Sequence, residues 1–156
     1  MKIAVQREPF DLAAEVAALY RDNPKVGAVA SFLGITRDEN DGHAIQGMHL
    51  EHYPGMTERA LERIAEEAMQ RWPLLDLTVI HRVGDLRPTD PIVLVAIAAA
   101  HRGDAFAACE FVMDYLKTQA PFWKKEATSL GERWVEARAS DDAAAARWSD
   151  RPRGNG

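Results

Sequence analysis

The sequence predicts an α+β fold made mainly of antiparallel sheets. Amphipathic helical segments alternate with short apolar runs typical of β-strands, in the order β-α-β-β-α-β-β-α-β-β. Strands that follow one another directly are separated by loops too short to hold a crossover helix, which favours antiparallel pairing. The length of 156 residues suits one domain. We therefore expect a single domain over residues 1–148 and a flexible tail over 149–156.

The first elements are a strand, a helix and a second strand. Lys2–Gln6 has the composition of a short strand. Asp11 can accept a hydrogen bond from the first turn of a helix over Leu12–Tyr20, and Pro24 follows the end of that helix. Val26–Leu33 is β-rich and interrupted only by small residues, which predicts a buried strand.

The central elements are an exposed loop, a strand and the most regular helix of the chain. Residues 34–42 are mostly polar, which predicts an exposed loop. Ala44–Tyr53 alternates between apolar and polar residues, as a strand with one buried face does. Thr57–Trp72 carries apolar residues at helical spacing, so we expect a helix capped by Thr57 and ended by Pro73.

The C-terminal half contains two strands, a second long helix, a hairpin and a short helix. The predicted ranges are Leu75–Val83 and Ile92–Ala100 for the strands, Asp104–Thr118 for the helix, Phe122–Ala127 and Arg133–Ala137 for the hairpin, and Ser140–Trp148 for the last helix. Helical spacing predicts the inward residues of the long helix as Ala105, Phe106, Cys109, Val112, Met113 and Leu116.

Charge and cysteine content exclude several classes of protein. The chain has 19 basic and 24 acidic residues, a net charge of -5, whereas a general nucleic-acid binder presents an excess of positive charge. The single cysteine, Cys109, allows no internal disulfide and suits a reducing compartment. The N-terminus lacks a signal-peptide pattern, and the longest apolar run, Ile92–Ala100, is too short to span a bilayer. We therefore expect a soluble cytoplasmic protein.

A first candidate site lies where the predicted strand Ile92–Ala100 meets the next helix. His101 and Arg102 stand at the helix N-terminus, where free N–H groups and the helix dipole attract anions. An arginine adds a fork of donors suited to phosphate or carboxylate. An ion pair between Arg102 and a neighbouring carboxylate explains the same residues without any ligand.

The second candidate is a cluster of lysines. Only five of the 19 basic residues are lysines, and Lys117, Lys124 and Lys125 lie within nine positions. Strand alternation predicts Lys124 and Glu126 on one face, with Lys125 on the other. A lysine near other cations, or partly removed from water, can act as a nucleophile or proton carrier. The alternative is a helix end, with Asp114 beside Lys117, followed by a solvated strand edge.

The other polar groups give weaker signals. Arg37 stands alone in the polar loop. His49 and Glu51 share one face of the predicted strand while His52 points to the other, so they cannot gather round one ion, and we expect no metal site. Cys109 lies on the apolar face of its helix, which indicates an inert core thiol.

Six stretches carry a family resemblance. They are LEHYPGMT at 50–57, VIHRVG at 79–84, AHR at 100–102, MDYLKT at 113–118, APFWKKE at 120–126 and RWVEAR at 133–138. In order, and over nearly the whole chain, they resemble the large, catalytic subunit of molybdopterin synthase. The EHYPGM and PFWKKE stretches are the most specific.

The resemblance implies a fold, a reaction and a partner. The family fold is an α/β hammerhead with an additional β-rich subdomain. The family is a sulfurtransferase that converts cyclic pyranopterin monophosphate to molybdopterin in molybdenum cofactor biosynthesis, and no cofactor is implied. Sulfur arrives as a thiocarboxylate on the C-terminal Gly-Gly tail of a small ubiquitin-like carrier subunit. The catalytic subunits form a homodimer within a heterotetramer, and each pocket borrows residues across the dimer interface.

The resemblance also implies roles for individual residues. Lys117 and Lys124 correspond to catalytic lysines, the first beside the incoming thiocarboxylate and the second a proton shuttle or electrostatic stabiliser. The implied substrate-binding residues are Ile35, Thr36, Arg37, His101, Arg102, Lys125, Glu126 and Arg138. Of these, Arg138 corresponds to an arginine contributed across the dimer interface.

Two other functions remain open at this point. A non-catalytic docking scaffold for a ubiquitin-like protein would bind its partner and form no product, although the full set of lysines argues against it. An unrelated lysine enzyme would form a Schiff base between Lys117 and a phosphorylated carbonyl substrate without any partner protein.

Overall fold

Two β-sheets and the helices around them make up the fold. A computed structural model describes residues 1–40, 42–128, 130–135 and 139–149. The strands are β1 (Lys2–Gln6), β2 (Ala28–Ile35), β3 (Glu39–Asn40), β4 (His43–His52), β5 (Leu74–Arg82), β6 (Gly84–Leu86), β7 (Pro91–Ala99), β8 (Phe122–Thr128) and β9 (Gly131–Val135). The helices are α1 (Leu12–Tyr20), α2 (Met56–Arg71), α3 (Arg102–Gln119) and α4 (Ala139–Ala146).

The first sheet has the strand order β1-β5-β7-β2. Strand β7 pairs antiparallel with both β5 and β2, whereas β1 pairs parallel with β5. Helices α2 and α3 cover one face, where Leu61 and Phe111 are fully buried. Helix α1 covers the other face, where Leu19 packs with Ile80 and Leu94. Both faces are therefore buried, which explains the continuous apolar run of β7.

The second sheet has the order β3-β4-β8-β9, and β6 also pairs with β4. Met48 and Leu50 of β4 pack with Val83 and Leu86 in a small core of their own. Phe122, the first residue of β8, packs against both this core and the core of the first sheet. The start of β8 is therefore held at the junction of the two sheets.

The predicted α+β class with mostly antiparallel sheets is confirmed, with the β1–β5 pair as the parallel exception. Strand β1 and helix α1 have the predicted bounds. Asp11 caps α1 as expected, since its carboxylate accepts a hydrogen bond from the Ala14 N–H at 3.1 Å. The sequence predicted this helix correctly because the position of the capping residue and the spacing of the apolar residues indicate the same start.

The predicted exposed loop over 34–42 is wrong in part. Strand β2 extends to Ile35, and β3 forms over Glu39–Asn40, with Asn40 buried. Strand β6 was also missed. Strands β3 and β6 are two and three residues long and exist only because they pair with β4. Residues close in sequence do not reveal that pairing.

The predicted cap of α2 is wrong as well. Gly55, at a φ of 85°, is the N-cap, and its N–H donates to the Glu58 carboxylate at 2.6 Å. Thr57 instead accepts a hydrogen bond from the Tyr53 N–H and donates one to the Pro121 carbonyl, both at 2.9 Å. Glycine suits this position because the left-handed region carries little steric penalty for it.

The inward prediction for Phe106 is also wrong, since its side chain is 65% exposed. The buried face of α3 runs through Ala105, Cys109 and Val112, and Phe106 lies beyond its edge. Residues 136–137 of the predicted hairpin and 150–156 of the predicted tail lie outside the described residues. Within the described part of the chain, no helix is long and apolar enough to cross a membrane.

The turn before β7 generates a stability prediction. Thr89 has a φ of 78°, and its N–H donates to the Thr36 carbonyl at 2.8 Å. A β-branched residue in this region costs about 1–3 kcal/mol, whereas the extra unfolded-state entropy of glycine costs only about 0.5–1 kcal/mol. We expect Thr89→Gly to raise the free energy of unfolding by about 1 kcal/mol in urea denaturation. A variant no more stable than the wild type would contradict the strain at Thr89.

Candidate active site

A cavity of about 660 Å³ lies between the last turn of α3, the start of β8 and the segment that follows β2. Strands of both sheets contribute to its walls. Its polar lining residues are Thr36, Arg37, Glu39, Asn40, His81, Lys117, Lys124, Glu126 and Asp141. Six of the ten residues predicted as catalytic or substrate-binding line it: Ile35, Thr36, Arg37, Lys117, Lys124 and Glu126.

Strand alternation brings Lys124 and Glu126 into the cavity. Their partners across the β4–β8 pair are the buried residues Leu50 and Met48. Side chains paired directly across two strands lie on the same face of the sheet. Lys124 Nζ lies 3.5 Å from Glu126 Oε1. The prediction that these two residues share one face is therefore confirmed.

Glu126 is a buried carboxylate with only 1% of its surface exposed. Its Oε1 accepts a hydrogen bond from Asn40 Nδ2 at 2.6 Å. Taking a carboxylate out of water costs several kcal/mol unless it is paired and hydrogen-bonded. Asn40 and Lys124 supply those partners, so the charge of Glu126 is tolerated and in turn holds the ammonium group of Lys124 beside the cavity.

Lys117 enters the cavity from the last turn of α3, where the helix dipole favours a cation. Asp114, its neighbour three residues earlier, accepts hydrogen bonds from Arg147 at 2.8 Å and from the Trp148 indole at 2.6 Å. That carboxylate fastens the end of α4 to α3. Lys117 thus faces the cavity, while the hydrogen bonds of Asp114 run to the residues that follow α4.

The segment after β2 presents Ile35, Thr36 and Arg37 to the cavity. Both backbone polar groups of Thr36 are hydrogen-bonded. Its N–H donates to the Asp90 carbonyl at 2.9 Å, and its carbonyl accepts from the Thr89 N–H. The hydroxyl of Thr36 is buried without a hydrogen-bond partner among the described residues. Leaving a buried hydroxyl unpaired costs about 1–3 kcal/mol, so a polar group in the cavity would satisfy it.

His81 of β5 also lines the cavity and was missed by sequence reasoning. Its ring stacks on Phe122 with 3.9 Å between ring centres, and its Nδ1 lies 2.8 Å from the Arg82 carbonyl oxygen. Burial lowers the pKa of His81 to about 4, and the positive charge of Lys117 acts in the same direction. A histidine directly after the apolar residues Val79 and Ile80 was the one available signal.

The cavity combines positive charge with apolar surface. Lys117, Lys124 and Arg37 supply cations, while the apolar walls include Phe32, Ile35, Met48, Leu50, Leu116 and Phe122. This combination suits a ligand with an anionic group and a flat apolar body. Among the residues that the structure describes, no group of three or more His, Cys, Asp or Glu side chains could hold a metal ion.

His101 and Arg102 lie far from the cavity of their own chain. His101 is the N-cap of α3 and Arg102 its first residue, and both are exposed. Lys117 lies fifteen residues further along the same helix, and a rise of 1.5 Å per residue separates the two ends by about 22 Å. One chain therefore cannot bring His101, Arg102 and Lys117 into one pocket.

Lys125 points away from the cavity, on the face of β8 opposite to Lys124. Its Nζ pairs with Glu132 at 2.7 Å and lies 5.5 Å from the centre of the Trp134 ring. Strand alternation is the reason, so its side chain is not brought to the cavity, although the resemblance implies a substrate contact there. Arg138 lies outside the described residues.

Two weaker signals have structural explanations. Cys109 is buried against the Val95 carbonyl, and burial raises the pKa of its thiol to about 11, which confirms the prediction of an inert core thiol. His49 contacts Asp85 at 2.7 Å and Glu51 at 3.3 Å on the outer face of β4. Both groups lie outside the cavity.

Known proteins are similar to this chain over most of its length. The model of the family described as MoaE protein matches residues 5–119. The molybdopterin synthase catalytic subunit of Ralstonia nicotianae is 64% identical over 146 residues, which cover 94% of this chain and 83% of the relative. The subunit of that name from Pseudomonas aeruginosa is 60% identical over 150 residues, 96% of this chain and 100% of the relative.

Solved structures agree with the sequence matches. The molybdopterin biosynthesis MoaE protein from Burkholderia ambifaria superposes with a TM-score of 0.82 at 62% identity, covering 96% of this chain and 99% of that one. The structure of molybdopterin synthase from Staphylococcus aureus superposes with a TM-score of 0.79 at 31% identity, covering 85% and 95%.

We expect the free energy of unfolding to fall as the pH is lowered from 6.5 to 4. The imidazole of His81 takes up a proton near pH 6.5 in the unfolded chain, but its pKa in the fold is about 4, so protonation favours the unfolded state in this window. Above pH 6.5 His81 is neutral in both states and its protonation does not reduce the free energy of unfolding. By pH 4 the preferential protonation of the unfolded chain lowers that free energy by about 3 kcal/mol. Urea denaturation of the wild type and of His81→Asn isolates the effect, since the variant lacks the titrating group. Identical pH profiles for the two proteins would contradict it.

Proposed function

The chain belongs to the MoaE family of molybdopterin synthase catalytic subunits, sulfur-transferring enzymes of molybdenum cofactor biosynthesis, and on that premise we propose that sulfur transfer takes place in the cavity lined by Lys117 and Lys124. The substrate is cyclic pyranopterin monophosphate and the product is molybdopterin. The observation that carries the proposal is that two lysines from different elements, a helix end and a strand, line one cavity together with Arg37.

The two parts of the substrate correspond to the two kinds of surface in the cavity. The phosphate ester is an anion, and Lys117, Lys124 and Arg37 are the cations available to bind it. The fused heterocycle is flat and largely apolar on its faces, and Phe32 and Phe122 offer aromatic surface for it. The Thr36 hydroxyl would find a partner among the polar atoms of the same ligand.

The sulfur donor is a second protein. As a catalytic subunit the chain works with a sulfur carrier, and we infer that the carrier is a small ubiquitin-like subunit with a thiocarboxylate on its C-terminal Gly-Gly tail. A Gly-Gly tail carries no side chains and therefore needs little space to enter the cavity. The ammonium group of Lys117 attracts the incoming thiocarboxylate, and that of Lys124 stabilises the negative charge that develops when sulfur attacks the pterin side chain. A carbon–sulfur bond forms there as an oxygen substituent leaves the attacked carbon, and water then cleaves the acyl–sulfur bond, which releases the carrier with an ordinary carboxylate. The lysines also carry the protons that these steps require.

A second copy of the chain completes the pocket. His101 and Arg102 lie about 22 Å from Lys117 along α3, yet a helix N-terminus with an arginine suits a phosphate. We infer that the catalytic subunit forms a homodimer in which His101, Arg102 and Arg138 of one copy reach the cavity of the other. Both His101 and Arg102 are exposed, as such a contact requires.

The alternatives are less consistent with the geometry. Binding a partner protein does not require a buried carboxylate that orients a cation beside a cavity, as Glu126 orients Lys124. A Schiff-base enzyme needs a single lysine and no carrier. The cellular location that we propose is the cytoplasm, where a single unpaired cysteine remains reduced.

We expect Lys117→Ala and Lys124→Ala each to lower the rate of molybdopterin formation by about 100-fold or more, since each removes a cation that stabilises developing charge. The assay is reconstitution with a thiocarboxylated carrier and cyclic pyranopterin monophosphate. Binding of the carrier should remain measurable in both variants, which separates loss of chemistry from loss of assembly.

Lys125→Ala is the matched control for the two lysine variants. It removes the same charge one position from Lys124 but on the opposite face of β8, so we expect activity within about threefold of the wild type. Near wild-type activity in Lys117→Ala and Lys124→Ala would show that the cavity is not the reaction site. An equal loss in all three variants would show that only the overall positive charge at the end of α3 and along β8 matters.

The shared pocket predicts complementation between inactive variants. Lys117→Ala and Arg102→Ala homodimers should each be inactive, but a mixed dimer contains one pocket with both residues intact. Random exchange of subunits should restore about a quarter of the wild-type activity. Activity that stays at the level of the separate variants after exchange, verified by mass spectrometry of the mixed dimer, would contradict sharing.

A further inference from the structure

His81 is the buried polar group of the cavity to which the proposed mechanism assigns no part. It lies on β5 with only 6% of its surface exposed, and it lines the cavity beside Phe122, on which its ring stacks. The stack on Phe122 and the contact of Nδ1 with the Arg82 carbonyl oxygen orient the ring. The direction of each ring nitrogen is therefore set by the fold.

The hydrogen bond of Nδ1 determines the tautomer. Nδ1 lies 2.8 Å from the carbonyl oxygen of Arg82, which can only accept, so Nδ1 carries the hydrogen. Nε2 of the neutral ring then carries a lone pair and can only accept. Among the described residues Nε2 has no hydrogen-bond partner, and it is not among the fully buried unpaired atoms, so it keeps contact with the cavity space.

Proton transfer is not the role of this nitrogen. With a pKa of about 4, imposed by burial and by the charges of Lys117 and His52, His81 is far too weak a base to take a proton from a lysine ammonium group. The cations that face the cavity, Lys117, Lys124 and Arg37, oppose a further positive charge there. His81 is therefore a neutral acceptor throughout the pH range in which an enzyme of this kind works.

We propose that Nε2 of His81 accepts a hydrogen bond from an N–H group of the substrate's heterocycle and so is a specificity-determining residue of the cavity. The inference rests on the proposed function, which supplies a pyranopterin with several N–H donors. The charge of each side chain determines its role. The lysines and Arg37 bind the phosphate, whereas the neutral His81 distinguishes a ligand that carries a neutral N–H donor from one that does not. The unpaired hydroxyl of Thr36 is a second neutral group in the same cavity that awaits a polar ligand.

Two substitutions separate the two ring nitrogens. The side-chain amide N–H of His81→Asn can occupy the position of Nδ1 and keep the bond to the Arg82 carbonyl, but the variant has nothing at the position of Nε2. The amide oxygen of His81→Gln can occupy the position of Nε2, but the bond to Arg82 is lost. Both variants lose the ring stack on Phe122, so that loss is matched between them.

The experiment measures KM and kcat for cyclic pyranopterin monophosphate with the thiocarboxylated carrier, and the affinity for inorganic phosphate, in the wild type and both variants. For His81→Asn we expect KM to rise about tenfold, as for loss of one hydrogen bond, with kcat within about twofold and phosphate affinity unchanged. For His81→Gln we expect KM near that of the wild type and a lower melting temperature.

Several results would overturn the inference. One such result is a wild-type KM in His81→Asn, and another is an equal rise of KM in both variants. A third is a lower kcat at unchanged KM, which would mean that His81 positions Lys117. Each of these results leaves the proposed function intact. A wild-type chain that forms no molybdopterin with the thiocarboxylated carrier would instead overturn the proposed function, and this inference with it.

Discussion

The buried carboxylate of Glu126 is the interaction on which the architecture of the site depends. A charge that is 1% exposed needs partners, and it takes them from two parts of the chain: Asn40 of β3 and Lys124 of its own strand. The bond to Asn40 secures the segment that carries Arg37, and the ion pair orients the cation of Lys124. The buried carboxylate of Glu126 thus connects the polar segment after β2 to β8, the strand that carries Lys124.

The junction of the two sheets brings the second lysine to the same place. Helix α3 ends at Gln119, and only Ala120 and Pro121 separate it from β8, so Lys117 and Lys124 lie on either side of one sharp change of direction. Thr57 of α2 donates a hydrogen bond to the Pro121 carbonyl, and Phe122 packs into both cores while stacking on His81. Apolar packing therefore determines the geometry of a site whose chemistry is ionic.

Strand and helix periodicity were enough to predict the α+β class, most elements and the shared face of Lys124 and Glu126. They did not predict Asn40 as a buried residue, because a two-residue strand exists only through its pairing with β4. They did not single out His81, because a histidine in a buried strand has the same local pattern whether it fills a core or faces a cavity. The resemblance implied a set of site residues, but only the length of α3 shows that Arg102 and Lys117 of one chain lie too far apart to share a pocket.

The most direct test of whether the substrate reacts in the cavity lined by Glu126 is a structure of the chain with cyclic pyranopterin monophosphate bound. We expect the phosphate within hydrogen-bonding distance of Lys117 or Lys124 of one copy and of Arg102 of the other, with the heterocycle inside the cavity. A ligand held at the N-terminus of α3, remote from both lysines of either copy, would contradict it.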